Sequence, residues 1–212
     1  MGRYRDRVDA GRQLAGHLAH HGGSRPLVVG LAGGGVVVAD EAAAALAGTV
    51  DVVVVVPFGA PGSPELLLGA VGSDGVPVIE ADLAARLGLG AADLAPGIAG
   101  GAAAARRRER SLRGERGFDA GGRTVIVVDD GVAGGVVLRA ALGRLRRAGA
   151  AYLVCAVPVG PPATIDLVAA EADEVVCPLQ PLRFHSVADW YDDFPEVGDA
   201  QVAALLAARF QS

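Results

Sequence analysis

The 212-residue sequence contains no lysine, so all 19 of its basic residues are arginine. That absence excludes a lysine Schiff base and a lysine clamp on phosphate, and any cationic contact to a ligand falls to guanidinium groups. Cysteine is scarce too. Cys155 and Cys177 each lie in an apolar run, and no zinc-type or redox spacing links them, so both read as reduced core residues. Aromatic residues are only 4% of the chain, and the net charge is −5. Without a basic field there is no general affinity for nucleic acid, and a small-molecule partner is expected instead. No segment offers the roughly 18 uninterrupted apolar residues of a membrane span. The charged stretch Met1 to Val8 lacks the apolar core of a secretory signal, so a cytoplasmic protein away from membranes is expected.

What is present is an apolar fraction of 51% against 20% charged residues, the balance of a globular chain. The length suits one domain over 1–212, with a core over about 22–178 and a hood and terminal helix over about 179–212. Alanine, glycine and valine dominate, as in the usage of a GC-rich genome.

Apolar positions Val8, Leu14, Ala15 and Leu18 predict an amphipathic helix within Tyr4 to Leu18, closed by Gly22 and Gly23. Leu27 to Leu31 predicts a buried strand leading into Gly33, Gly34 and Gly35 and then an alanine-rich helix. Asp51 to Val56, an aspartate and five valines, predicts a central strand covered on both faces. Pro57 to Pro77 is rich in proline and glycine and carries Glu65, which predicts loops and short antiparallel pieces over the site. Ala91 to Arg116 predicts a helix ending in a basic cluster, Arg106, Arg107, Arg108, Arg110, Arg113 and Arg116. Strands are predicted over Thr124 to Val128, Tyr152 to Val157 and Glu174 to Cys177, with helices through Arg147 and over Ala163 to Ala170. The strand–helix alternation calls for a parallel sheet, and Ala200 to Phe210 predicts a last amphipathic helix.

In such a sheet ligands bind beyond the carboxyl ends of the strands, where a glycine turn entering a helix aims N–H groups and a positive dipole end at an anion. The segment Val125 to Val137 has that construction. Asp129 and Asp130 stand where a strand stops, and Gly131, Val132, Ala133, Gly134 and Gly135 follow. The carboxylates suit a sugar diol or a metal ion, and the turn suits a phosphate.

Here the sequence resembles the type I phosphoribosyltransferases, in particular small bacterial members of uncertain substrate. Val-Ile-Val-Val-Asp-Asp-Gly-Val-Ala-Gly-Gly is similar to the phosphoribosyl pyrophosphate signature, whose acidic pair binds the ribose hydroxyls; Asp129 and Asp130 match that pair. The resemblance continues in Asp51 and its valines, in Gly59 to Leu66 with Gly69-Ala70, in Arg110 to Gly114, and in Trp190-Tyr191 with Asp193-Phe194. It implies an α/β fold with a central parallel sheet flanked by helices and a small C-terminal hood. It also implies magnesium held near Asp129 and Asp130, no organic cofactor, and a homodimer.

The chain departs from the family pattern in its cationic and hydroxyl positions. Gly134 and Val137 stand where relatives carry hydroxyl residues, Gly33 where they carry an arginine, and Val56 and Pro57 where they carry an Arg-Lys pair. A charge-assisted hydrogen bond is worth roughly 1.5–3 kcal/mol, so losing several at one anion costs orders of magnitude in affinity. Three readings of this stripped clamp stay open: a disused site, a clamp replaced by the arginine segment or by magnesium, and a pocket repurposed for a less anionic molecule. In the last, Asp129 or Asp130 against apolar walls has a raised pKa and acts as general acid or base. A ligand-sensing module without turnover is the non-enzymatic alternative. Arg110 within a mobile lid, Glu65 facing the site, and Trp190 and Tyr191 as a stacking hood are further candidates, each set against a solvated or packing role. His185 is the one histidine near that hood.

Overall fold

The structure, a computed structural model, describes residues 2–114, 116 and 118–210. Met1, in the charged N-terminal stretch, and Glu115, in the helix expected over Ala91 to Arg116, lie outside the described residues.

The main sheet is parallel throughout, in the order β2-β1-β6-β7-β8. Its strands are β1 (Leu27–Leu31), β2 (Thr49–Val53), β6 (Thr124–Val128), β7 (Tyr152–Ala156) and β8 (Glu174–Val176). Period-2 alternation in these apolar runs sorts side chains between two cores. Val28, Ile126, Val128, Val154 and Ala156 pack on one face with α1 (Arg7–His17), α2 (Gly34–Ala45) and α7 (Asp199–Phe210). Val29, Val125, Val127, Leu153 and Cys155 pack on the other with α5 (Val136–Arg147) and α6 (Pro162–Ala169). Both cysteines are free thiols, Cys155 fully buried, and burial pushes the Cys177 thiol up to about 12, so neither is a nucleophile at neutral pH.

The valine run corrects two expectations. It is not one strand, because β2 ends at Val53 and β3 (Val55–Ala60) begins a second sheet with β4 (Ser63–Gly72) and β5 (Pro77–Ile79). Nor is it central, since β2 forms the edge of the main sheet. Edge position and apolar composition are compatible because α4 (Ala91–Arg113) covers that edge. Glu109 accepts the Val54 N–H at 3.1 Å, and the Arg113 guanidinium donates to the Val52 carbonyl, so side chains satisfy backbone groups that no neighbouring strand reaches. The proline- and glycine-rich stretch is more regular than expected, an antiparallel sheet with a ten-residue strand. Helix α3 (Ala81–Arg86) links it to α4.

Strand β1 is followed by β2 on one side, while β6, β7 and β8 extend the other side. The strand order reverses between β1 and β6, and at their carboxyl ends the glycine turn after β1 meets the acid pair after β6.

Candidate functional site

Asp129 and Asp130 follow β6 directly, and the turn from Gly131 to Gly135 leads into α5. Val132 donates its N–H to Val159 at 2.9 Å, Thr164 Oγ1 donates to the Ala133 carbonyl at 2.7 Å, and Gly135 holds a left-handed φ of 81° that glycine adopts without strain. Val132 and the half-buried Val137 point into packing, whereas Ala133 and Gly134 are exposed at the start of α5. The cradle therefore presents backbone, with no side-chain hydroxyl at Gly134 or Val137.

The glycine turn after β1 closes on the acids from the other side. A Cβ on Gly34 would collide with Asp130 Oδ2 and Arg7 Nε, and one on Gly35 would come within 2.9 Å of Asp129 Oδ1. Gly33, at φ 117°, turns the chain into α2. These positions give the acid pair room that any side chain would fill.

The sequence reading missed Arg7. Asp6 caps α1 by accepting the Asp9 N–H at 2.7 Å, and the first turn of that helix carries Arg7 to the acids. Its Nε donates to Asp130 Oδ2 at 2.7 Å, its Nη1 donates to the Pro195 carbonyl at 2.6 Å, and its guanidinium lies 3.7 Å from the Phe194 ring centroid. Arg7 is 7% exposed, so the cation is largely desolvated and held on three sides. Tyr191 completes the support: its hydroxyl donates to the Asp130 carbonyl oxygen, and its ring packs between Tyr4 and Phe194.

Two carboxylates and one guanidinium leave the cluster one negative charge in excess. Burial raises the Asp129 pKa well above the ordinary carboxylate range, and the Asp130 charge raises it further against the pull of Arg7. Burial also raises Asp130, opposed by its hydrogen bond to Arg7. The pair is thus split into an acid that favours its proton and a carboxylate tied to a cation. Magnesium takes one or two carboxylates and completes its shell with water and substrate phosphates. One Asp130 oxygen is engaged by Arg7 and one Asp129 oxygen accepts the Asp130 N–H, so an ion held by this pair would take the other oxygen of each residue and would require Asp129 to release its proton.

The other predicted residues scatter. Tyr191 reaches the acids but is 4% exposed, so its ring is packing and not a free stacking surface. Trp190 lines a different cavity of about 460 Å³ with Arg3, Arg183, His185 and Asp189. Glu65 is exposed on the half of β4 farthest from the main sheet. Arg110 lines a cavity of about 280 Å³ with Ser73, Arg106, Glu109, Arg113, Gly114 and Arg116, beside the β2 edge. Arg113 is buried there, donating to Asp51 Oδ1 at 2.7 Å, so this part of the arginine segment is anchored structure and not a lid.

The phosphoribosyl transferase domain family matches residues 3–193. Two Mycobacterium tuberculosis proteins, each named "Putative phosphoribosyl transferase", are 42% identical to the chain over 202 residues, covering 95% of it and 46% of each relative. The chain thus spans about half the length of these curated relatives. The crystal structure of TT1426 from Thermus thermophilus superposes with a TM-score of 0.82 at 42% identity, covering 98% of this chain and 99% of that one. The chain belongs to the phosphoribosyl transferase domain family, and its parallel five-stranded sheet flanked by helices is the type I phosphoribosyltransferase fold. Among the described residues, no helix is long and apolar enough to cross a membrane.

Proposed function

We propose that the chain is a phosphoribosyltransferase-fold enzyme whose pocket acts on a small molecule less anionic than phosphoribosyl pyrophosphate. The observation that carries this reading is the split acid pair, Asp129 with its raised pKa beside Asp130 tied to Arg7. Protonated Asp129 can donate to a leaving group or a sugar hydroxyl, and afterwards take a proton back. Asp130, fixed by Arg7 and by the Tyr191 hydroxyl beneath its carbonyl, supplies negative charge where a ligand's positive charge or hydroxyl groups settle. The backbone cradle at Ala133 and Gly134 accommodates one weakly held anionic group.

A second reading is favoured by that same cradle and by family membership: transfer from phosphoribosyl pyrophosphate itself. Asp129 and Asp130 would then hold magnesium, which supplies charge neutralisation to the substrate's phosphates. The substrate's own contacts would have to displace Arg7 from Asp130 or work around it.

Calorimetry with phosphoribosyl pyrophosphate and magnesium separates the two. The first reading expects no binding at millimolar ligand, together with binding of a neutral ribose-like compound that Asp129→Asn weakens. Micromolar binding of the pyrophosphate supports the second reading and defeats the first. A homodimer is the assembly proposed for either case, checked by sedimentation.

A further inference from the structure

At the amino end of the main sheet, opposite the acid pair, three ligand-type side chains converge. His20 and His21 occupy a 3-10 turn, Ala19–Ser24, and Glu174 opens β8. His20 Nε2 lies 3.0 Å from one Glu174 carboxylate oxygen and His21 Nε2 lies 3.0 Å from the other. One ligand atom from each residue falls within 4.8 Å of the others. Successive residues in a 3-10 turn diverge by about 120°, so neighbouring histidines do not share a target by default. Here both rings turn to the same carboxylate, with centroids 4.1 Å apart.

The surroundings hold two of the three groups in place and leave the third open. His21 is 9% exposed and its ring sits 6.1 Å from that of Tyr152. The Tyr152 hydroxyl reaches the same Glu174 oxygen at 3.5 Å. The His20 side chain is 56% exposed, which gives an ion a path from solvent. Two ligands at about 2.0 Å on a tetrahedral ion stand about 3.3 Å apart, so the observed nitrogen–oxygen separations need only small side-chain adjustments to accept one. Two imidazole nitrogens and one carboxylate match the preference of zinc and copper, whereas magnesium and calcium prefer all-oxygen shells.

We propose that His20, His21 and Glu174 form a binding site for a zinc- or copper-class divalent cation, with remaining positions open to water. The bound ion staples the turn between α1 and β1 to edge strand β8. Because α1 also carries Arg7, the ion steadies the helix that serves the acid pair from the far end of the sheet. Since ligand binding to the folded state alone raises the midpoint of unfolding, the site has a readout independent of catalysis.

The test uses the full chain titrated with zinc, then with copper(II). Calorimetry is expected to show one zinc per chain and a higher thermal midpoint, with no competition from excess magnesium. The double variant His20→Ala/His21→Ala is expected to lose at least about tenfold in zinc affinity, since even outer-shell partners of a metal site contribute about that much. Asp129→Asn/Asp130→Asn is expected to bind zinc as the wild type does, which excludes the acid pair as the source. Electron paramagnetic resonance of wild-type chain with one equivalent of copper(II) is expected to show coupling to imidazole nitrogen, a result that needs no variant to fold. Equal zinc affinity in the histidine double variant, absence of saturable binding at millimolar zinc, or a copper spectrum without nitrogen coupling would each overturn the proposal.

Discussion

Among the described residues, the charge cluster beside the β2 edge and the one at the end of β6 differ in their balance. Beside the β2 edge the more deeply placed members are Asp51 and Glu109 against Arg113 and Arg144, two charges against two, while the exposed Arg106 and Arg110 line the cavity next to them. Arg113 bonds Asp51 at 2.7 Å and Arg144 bonds Glu109 at 2.9 Å, while Ser73 Oγ donates to Glu109 at 2.7 Å. At the carboxyl end of β6, Asp129 and Asp130 share the single Arg7. A balanced cluster whose carboxylates also bind backbone N–H groups is a structural closure for an edge strand. An unbalanced one leaves a buried carboxyl group that must take a proton or a ligand, the feature on which the proposed function rests. Of the matched motif Arg110 to Gly114, Arg113 belongs to the first cluster, whereas Arg110 is exposed and lines the cavity beside it.

The sharpest way to break the comparison is to unbalance the edge cluster. Arg113→Ala leaves Asp51 buried without its cation, and a loss of about 3–5 kcal/mol in unfolding free energy is expected in urea titrations. A variant within about 1 kcal/mol of wild type would show that the edge does not depend on its ions.

Removing Arg7 is expected to cost less in stability and to reveal more about the site. Arg7→Gln forfeits a charge-assisted bond worth about 1.5–3 kcal/mol and also removes the cation that holds both aspartate pKa values down. An acid whose folded pKa exceeds its unfolded value binds its proton more tightly when folded. Its contribution is therefore fully present below the unfolded pKa of about 3.9 and is lost as pH rises through the folded value. Arg7→Gln should extend that loss to higher pH, visible as a steeper decline in unfolding midpoint from acid toward neutral pH. An unchanged pH profile would mean that Arg7 is not electrically coupled to the acids.

The mildest change tests the stripped cradle. A Cβ at Gly134 meets no heavy atom within 4 Å, so Gly134→Ser adds a hydroxyl without a clash. It is expected to tighten binding of ribose 5-phosphate about tenfold by calorimetry, with stability unchanged to within about 0.5 kcal/mol. No gain in affinity would place the phosphate elsewhere.

Local sequence was enough where local physics decides the outcome. The strand Thr124–Val128, the acid pair at its end and the glycine turn into α5 all lie within one continuous stretch, and the structure reproduces them with their expected order. The valine run was legible as extended chain but not in its break at Val54, because nothing in five identical residues marks where one sheet yields to another. Arg7 was illegible for a different reason. It precedes its partner by 123 residues, and nothing in its local sequence ties its charge to the acid pair. Only α1 packing against α2 brings it across Gly34, and that placement is tertiary. The same holds for Glu109, which caps a strand edge that the sequence placed in the middle of the sheet.

The measurement closest to the central claim is the proton occupancy of Asp129, followed by carbon-13 NMR of aspartate side-chain carboxyls across a pH titration. A carboxyl titrating well above the ordinary value of about 3.9, and missing from the spectrum of Asp129→Asn, is the predicted result. Were every aspartate in the chain to release its proton within the ordinary range, the unbalanced cluster would hold no special acid and the account of the pocket would be contradicted.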